Sequence, residues 1–179
     1  MPQKVKIIDR FTRKLLKNNL NVGLGEIAIG ESDICLRVPM LGSCIALVIY
    51  IQNQPVESRI AMMAHIMYPN SNFPVNPSQE VIGEGKYADI ALLAMIKKLE
   101  SRGFNKRHMI AKMAGGVINP SMKYPLLHSN EPAIIELLNR EKISLKASYT
   151  GGTEGLEAIF KTKEYKLYVT PKKAQTVIL

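Results

Sequence analysis

Residues 41–69 read LGSCIALVIYIQNQPVESRIAMMAHIMYP, and this stretch decides the fold. An uninterrupted apolar run at 45–50 follows a Gly-Ser turn, which is typical of a strand buried on both faces. A second strand-like run covers 59–67 and is closed by a Tyr-Pro pair. The polar loop at 52–57 between the two runs predicts that they pair as a β-hairpin.

The predicted hairpin carries a cysteine and a histidine at its open end. Cys44 directly precedes the first run, and His65 lies near the end of the second. An imidazole within reach of a thiol can take its proton and make a thiolate nucleophile. Free N–H groups in the turn before Cys44 can stabilise an oxyanion. The alternative is structural, because free cysteines are often buried and such pairs arise by chance.

Five short blocks then stand out along the chain, each ending or beginning a predicted element. They are LGSC at 41–44, AHIMYP at 64–69, GKYAD at 85–89, AKMAGG at 111–116 and TGG at 150–152. These blocks resemble, in order, those of the chemoreceptor glutamine deamidases, the CheD family, and the resemblance covers roughly residues 22 to 170. The resemblance implies an α/β (α+β) fold, a layered sandwich of mixed β-sheet with two main helices. It also implies a cysteine-hydrolase fold similar to the cytotoxic necrotizing factor catalytic domain.

The same resemblance implies the chemistry of the site. Glutamine side-chain amides of methyl-accepting chemoreceptors are hydrolysed to glutamate, with Cys44 as nucleophile, His65 as base and a thioester intermediate. Glutamyl methyl esters suit the same machinery, and neither a metal nor an organic cofactor is required. The implied partners are the receptor cytoplasmic region and a CheC-type chemotaxis phosphatase.

Ser43 and two glycine pairs complete the predicted site, as oxyanion or substrate-binding residues. Glycine pairs at strand ends leave room for a glutamine side chain to reach the thiolate. The structural alternative is that Gly-Gly only permits positive φ or close approach of two chains. These pairs are Gly115 with Gly116 and Gly151 with Gly152.

The sequence departs from the family pattern at three places: a threonine before the cysteine is missing, Leu156 stands where the family has an arginine, and the family's Arg-Asn before the second helix is absent around 129–132. The resemblance implies a threonine five or six residues before the cysteine that orients the histidine, but Pro39 and Val38 stand there. An orienting group fixes the position and tautomer of an imidazole. The alternative function is therefore a weakened or inactive adaptor of the CheD type that binds the receptor or the phosphatase.

Composition favours one globular domain with basic ends. The chain has 179 residues, 46% of them hydrophobic, and a net charge of +9. Residues 1–20 contribute six basic side chains against one acidic, and 161–179 contribute five against one. This charge indicates either solubility or electrostatic steering toward an acidic partner. Residues 1–21 are predicted as a basic extension, and 22–179 as a single deamidase-like domain.

Other classes of protein find little support in the sequence. No RNP-like motif, zinc finger or basic heptad helix predicts nucleic-acid binding. No apolar run approaches the ~20 residues of a membrane span, and the N-terminus lacks the apolar core of a signal peptide. Two cysteines, Cys35 and Cys44, form neither a disulfide framework nor a zinc site. We therefore expect a cytoplasmic protein without membrane insertion.

Periodicity predicts the remaining elements. The clearest helix covers 87–102, with apolar residues at i, i+3, i+4 and i+7. A second helix is predicted from the SNEP start at 129–132 to about 141, and a short amphipathic helix at 11–19. The loop at 68–85 is either a lid over the site or a surface excursion. Strands are predicted at 26–29, 34–38, 109–114, 145–150, 156–161 and 166–169.

Overall fold

The expected hairpin at residues 41–69 lies at the centre of the fold. A computed structural model describes residues 5–13, 15, 17–74, 83–118 and 130–179. The α-helices in these residues are α1 (Ala88–Ser101) and α2 (Asn130–Arg140). The strands are β1 (Ile7–Ile8), β2 (Asn19–Asn21), β3 (Ile27–Glu31), β4 (Cys35–Leu41), β5 (Ile45–Ile51), β6 (Ile60–Ile66), β7 (Met109–Gly115), β8 (Ser144–Thr150), β9 (Leu156–Lys161), β10 (Lys166–Pro171) and β11 (Val177–Ile178).

The strands form two sheets. One sheet has the order β1-β3-β6-β5-β7-β8 and the other β11-β10-β9-β4-β2. Strand β5 pairs antiparallel with both β6 and β7, whereas β7 and β8 run parallel. All seven residues of β5 are buried, because a central strand covered on both faces has no side facing water.

Alternate residues of β5 face two different layers. Leu47 and Ile49 pack in a cluster with apolar residues of α1 and α2. Val48 and Tyr50 pack in a second cluster with Phe160 and other residues of the five-stranded sheet. The order of layers is therefore helices, six-stranded sheet and five-stranded sheet, and the predicted α+β sandwich with two main helices is confirmed.

The helix predicted at 11–19 is not formed in the described part of this stretch. Lys17 and Asn18 have positive φ values of 49° and 63°, which a right-handed helix does not allow. The Asp9 side chain instead accepts the N–H groups of Phe11 and Thr12 in a turn. Because β1 pairs with β3 and β2 with β4, the stretch predicted as an extension adds a strand to each sheet.

The two long connections are described only in part. Within the loop at 68–85, residues 75–82 lie outside the described residues, so its interpretation as a lid stays a prediction. Its two ends lie side by side, since Tyr68 forms a parallel bridge with Tyr87. Residues 119–129, including His128, also lie outside the described part. Among the described residues, no helix has the length and apolar character needed to span a membrane.

Candidate active site

One edge of the six-stranded sheet collects all the predicted site residues. Ile45 opens β5 and pairs with Ile66 on one side and Gly115 on the other. Gly115 in turn pairs with Thr150, the last residue of β8. Cys44, His65 and both glycine pairs therefore meet where β6, β7 and β8 end and β5 begins.

Cys44 and His65 face the same layer. His65 pairs directly with Ala46, which belongs to the cluster between the two sheets, and the Cys44 side chain packs against that cluster. The two residues are thus diagonal neighbours across the hairpin. Diagonal Cα atoms are about 7–8 Å apart, a separation that long side chains span. The register therefore places the imidazole and the thiol on the same layer at the open end of the hairpin.

A backbone carbonyl orients the histidine. His65 is 7% exposed, and its Nδ1 lies 3.4 Å from the carbonyl oxygen of Val22. When Nδ1 carries the proton, it donates to this carbonyl and leaves the lone pair of Nε2 free to accept a proton. Val38 is fully buried in the core. The polar contact of the ring is thus with the Val22 carbonyl. A backbone carbonyl is one of the groups expected to hold the ring in place of the threonine, but the sequence does not indicate which carbonyl it is.

An ion pair supports the segment that carries this carbonyl. Arg13 donates to both carboxylate oxygens of Glu26 at 2.6 Å, and Glu26 accepts the N–H of Gly23 at 2.7 Å. The N–H of His65 donates to the Glu26 carbonyl at 3.0 Å. The segment from Val22 to Glu26 is therefore held to β6 by the Glu26 carbonyl and to the basic N-terminal stretch by the Arg13 side chain.

Burial keeps the predicted catalytic pair, Cys44 and His65, neutral. It raises the pKa of the Cys44 thiol to about 11, because a thiolate is poorly solvated in an apolar setting. Burial also lowers the pKa of His65, with the Val22 carbonyl and Glu26 opposing part of the effect. At pH 7 the site therefore holds a neutral thiol and a neutral imidazole.

We expect alkylation of Cys44 by iodoacetamide to be slow at pH 7 and to rise about tenfold per pH unit toward its pKa, because the thiolate is the reactive form. Mass spectrometry of the Cys44 peptide across pH 7–10 measures this rate. A Cys35→Ala variant serves as control and should give the same Cys44 profile. Rapid labelling that does not change with pH would contradict the neutral resting state.

Two backbone N–H groups lie at the predicted nucleophile, Cys44, with no acceptor in the described part of the chain. Among the described residues, the N–H groups of Ser43 and Cys44 donate to no acceptor. The Cys44 carbonyl accepts the N–H of Gly116 at 2.9 Å, which fixes the turn. Free N–H groups at a nucleophile are suited to hold a developing oxyanion.

The glycines at this edge have structural roles of their own. Gly115 has a φ of 124°, and a Cβ there would collide with the Cys44 carbonyl. Gly151 and Gly152 also have positive φ, 81° and 75°, but face open space. Close chain approach therefore requires glycine at 115, and the substrate-binding role of the four glycines stays a prediction.

His108 lies away from this site, and the described residues contain no cluster of metal-ligating side chains. His108 ends a short 3-10 helix just before β7, and Met109 pairs with the last residue of β5. His108 is thus at the opposite end of the sheet from Cys44. Within the part of the chain that the structure describes, no three His, Cys, Asp or Glu side chains are grouped to hold a metal ion.

Asn130 is a second residue that sequence reasoning missed as part of the site. The sequence indicates only a helix start at this position, and the structure confirms that α2 begins at Asn130. Its buried side chain also donates to the carbonyls of Ser43 and Met67. No spacing rule connects a helix start to a turn 87 residues earlier.

Comparisons with known proteins point to one family. A family model described as CheD, chemotactic sensory transduction, matches residues 67–171, which begin just after His65. A Clostridium botulinum protein named probable chemoreceptor glutamine deamidase CheD is 31% identical over 153 residues, 83% of this chain and 90% of that protein. A Bacillus licheniformis protein named chemoreceptor glutamine deamidase CheD is 30% identical over 182 residues, 97% of this chain and 100% of that protein.

Proposed function

The chain belongs to the CheD family, and on this premise we propose that it hydrolyses glutamine side-chain amides of chemoreceptors to glutamate. The observation that carries the proposal is the hairpin end. There Cys44 and His65 face one layer, and the Val22 carbonyl lies 3.4 Å from Nδ1 of the histidine. Enzymes that catalyse acyl transfer use such a thiol as nucleophile, an oriented base to take its proton and free N–H donors to stabilise the oxyanion.

The first half of the reaction forms a thioester. Nε2 of His65 takes the thiol proton while Sγ of Cys44 bonds to the amide carbon. The carbonyl oxygen becomes an oxyanion that the N–H groups of Ser43 and Cys44 stabilise. His65 then returns the proton to the amide nitrogen, and ammonia leaves as the carbon–nitrogen bond breaks.

The second half restores the enzyme. His65 removes a proton from water, and the hydroxide attacks the thioester carbon. The carbon–sulfur bond breaks, Cys44 recovers its proton from His65, and a glutamate side chain is released. The net reaction consumes one water and releases one ammonia, with no cofactor. A glutamyl methyl ester follows the same steps with methanol as the leaving group.

The proposed substrates define the proposed partners. Relatives bear the name chemoreceptor glutamine deamidase, so we assign the receptor cytoplasmic region as substrate and the cytoplasm as location. A CheC-type phosphatase is the proposed second partner. The basic ends of the chain suit an acidic helical surface, because opposite charges accelerate encounter.

Incubation with purified receptor cytoplasmic fragments tests the function. We expect a mass gain of about one dalton at each modified glutamine, the difference between an amide and the acid formed by this chemistry. Tandem mass spectrometry locates the sites, and fragments with those glutamines replaced by alanine serve as control. Binding of the fragments without any mass gain would contradict the enzyme and support the adaptor.

A further inference from the structure

The first residue of α2 ties the two arms of the catalytic hairpin together. Asn130 is 1% exposed, and its Nδ2 donates to the carbonyl of Met67 at 2.9 Å and to that of Ser43 at 3.4 Å. Ser43 directly precedes the nucleophile, and Met67 follows His65 by two residues. One amide group therefore contacts both strands at the site.

This contact lies where the strand ladder has ended. The pairing of β5 with β6 stops at Ile45 and Ile66, and the Met67 N–H donates away from the hairpin, to the carbonyl of Lys86. Among the described residues, only Asn130 donates to the carbonyls of Ser43 and Met67. The Asn130 side chain thus connects the two chain segments at the point where backbone hydrogen bonds between them have ended.

A bond to the Ser43 carbonyl also fixes the Cys44 N–H. The peptide unit between Ser43 and Cys44 is planar, and in the trans form its C=O and N–H point in opposite directions. Holding the carbonyl toward Asn130 therefore aims the Cys44 N–H away from Asn130. That N–H is one of the two free donors beside the thiol, so its direction matters for an oxyanion.

A neighbouring residue, and not Asn130 itself, holds the start of α2 in place. The next residue, Glu131, accepts the hydroxyl of Thr150 at 2.6 Å, which ties the start of α2 to the end of β8. Within the described residues, the buried Oδ1 of Asn130 accepts no hydrogen bond. Burying an unpaired acceptor is unfavourable for stability, so packing alone does not account for an asparagine here.

We propose that Asn130 is a positioning residue, which clamps the Ser43 and Met67 carbonyls and so sets the Cys44 thiol and N–H against His65. The inference rests on the proposed function for its catalytic consequence, whereas the clamp itself concerns only this chain. It acts through Cys44 and His65 and touches no reacting atom.

The test compares Asn130→Ala with Asn139→Ala, an exposed asparagine of the same helix. In Asn130→Ala we expect kcat on receptor fragments to fall about 10–100-fold with KM nearly unchanged, because the lost contact orients a transition-state donor. Without substrate, we expect Cys44 to alkylate about tenfold faster relative to Cys35, because the hairpin end opens locally. Asn139→Ala should match the wild type in both measurements.

A merely structural role for Asn130 gives a different result. General destabilisation would expose both cysteines together, leave the Cys44-to-Cys35 labelling ratio unchanged and overturn the proposal. If Asn130→Ala does not fold, Asn130→Asp keeps the shape, suits a helix N-terminus and removes both donors, so the kcat and KM comparison is made with it. Should the wild type not deamidate receptors, the proposed function fails, while the labelling ratio of Asn130→Ala still decides the clamp.

Discussion

Replacing Cys44 by alanine is expected to abolish deamidation of receptor fragments, with a loss of at least about 10³-fold in kcat, the scale seen when a nucleophile is removed. The proposed thioester forms on Sγ, so the variant has no atom to bond to the amide carbon. The second cysteine cannot replace it. Cys35 opens β4 in the five-stranded sheet and pairs with Lys161, whereas Cys44 lies where β4 has ended.

The matched control for this variant is Cys35→Ala, which should retain wild-type activity. Both proteins are assayed by the mass gain of the receptor peptides over the same time course. Circular dichroism and thermal unfolding establish that each variant is folded. A folded Cys44→Ala protein with wild-type deamidation would remove the nucleophile from the proposal.

Replacing His65 by glutamine is expected to lower kcat by about 10²–10⁴-fold, the usual contribution of a general acid–base group. Glutamine is similar in size but takes no proton near neutral pH. His108→Gln is the control, because His108 precedes β7 at the opposite end of the sheet. Deamidation by His65→Gln at the rate of His108→Gln would contradict the role of His65 as base.

The pH profile of the wild type gives a second measure of His65. Its pKa is lowered by burial, and only the neutral imidazole accepts the thiol proton. As the pH rises through this lowered pKa, activity should increase. The midpoint of the acid limb in the pH profile of kcat/KM should therefore lie below the ordinary histidine pKa of about 6.5. An acid limb above that value would contradict the assignment of this limb to His65.

The hairpin that carries Cys44 and His65 could be predicted because its signals are local. The run at 45–50 is apolar without interruption, and the strand β5 covers Ile45–Ile51. The helix predicted at 87–102 is α1 at Ala88–Ser101, since its apolar residues repeat with helical spacing. Once β5 and β6 pair, the register alone places Cys44 and His65 at the same end of the hairpin.

The supporting groups could not be predicted because they depend on distant contacts. The Val22 carbonyl has the same chemistry as every other carbonyl, and only the folded chain brings it to His65. The sequence around Asn130 indicates only a helix start, and it contains no signal for the bonds of Asn130 to the distant hairpin. The helix predicted at 11–19 was wrong for a similar reason. The strands on either side of this stretch, β1 and β2, are only two and three residues long, and such short strands need their partner strands to form.

The neutral, partly buried thiol at the hairpin end also lowers the susceptibility of Cys44 to oxidation. Peroxide oxidises thiolates in preference to thiols and needs access to the sulfur. Burial raises the pKa of the Cys44 thiol to about 11, so the substrate-free protein offers little thiolate to oxidants. The residue that we propose as the nucleophile is thereby protected from oxidative damage while no substrate is bound.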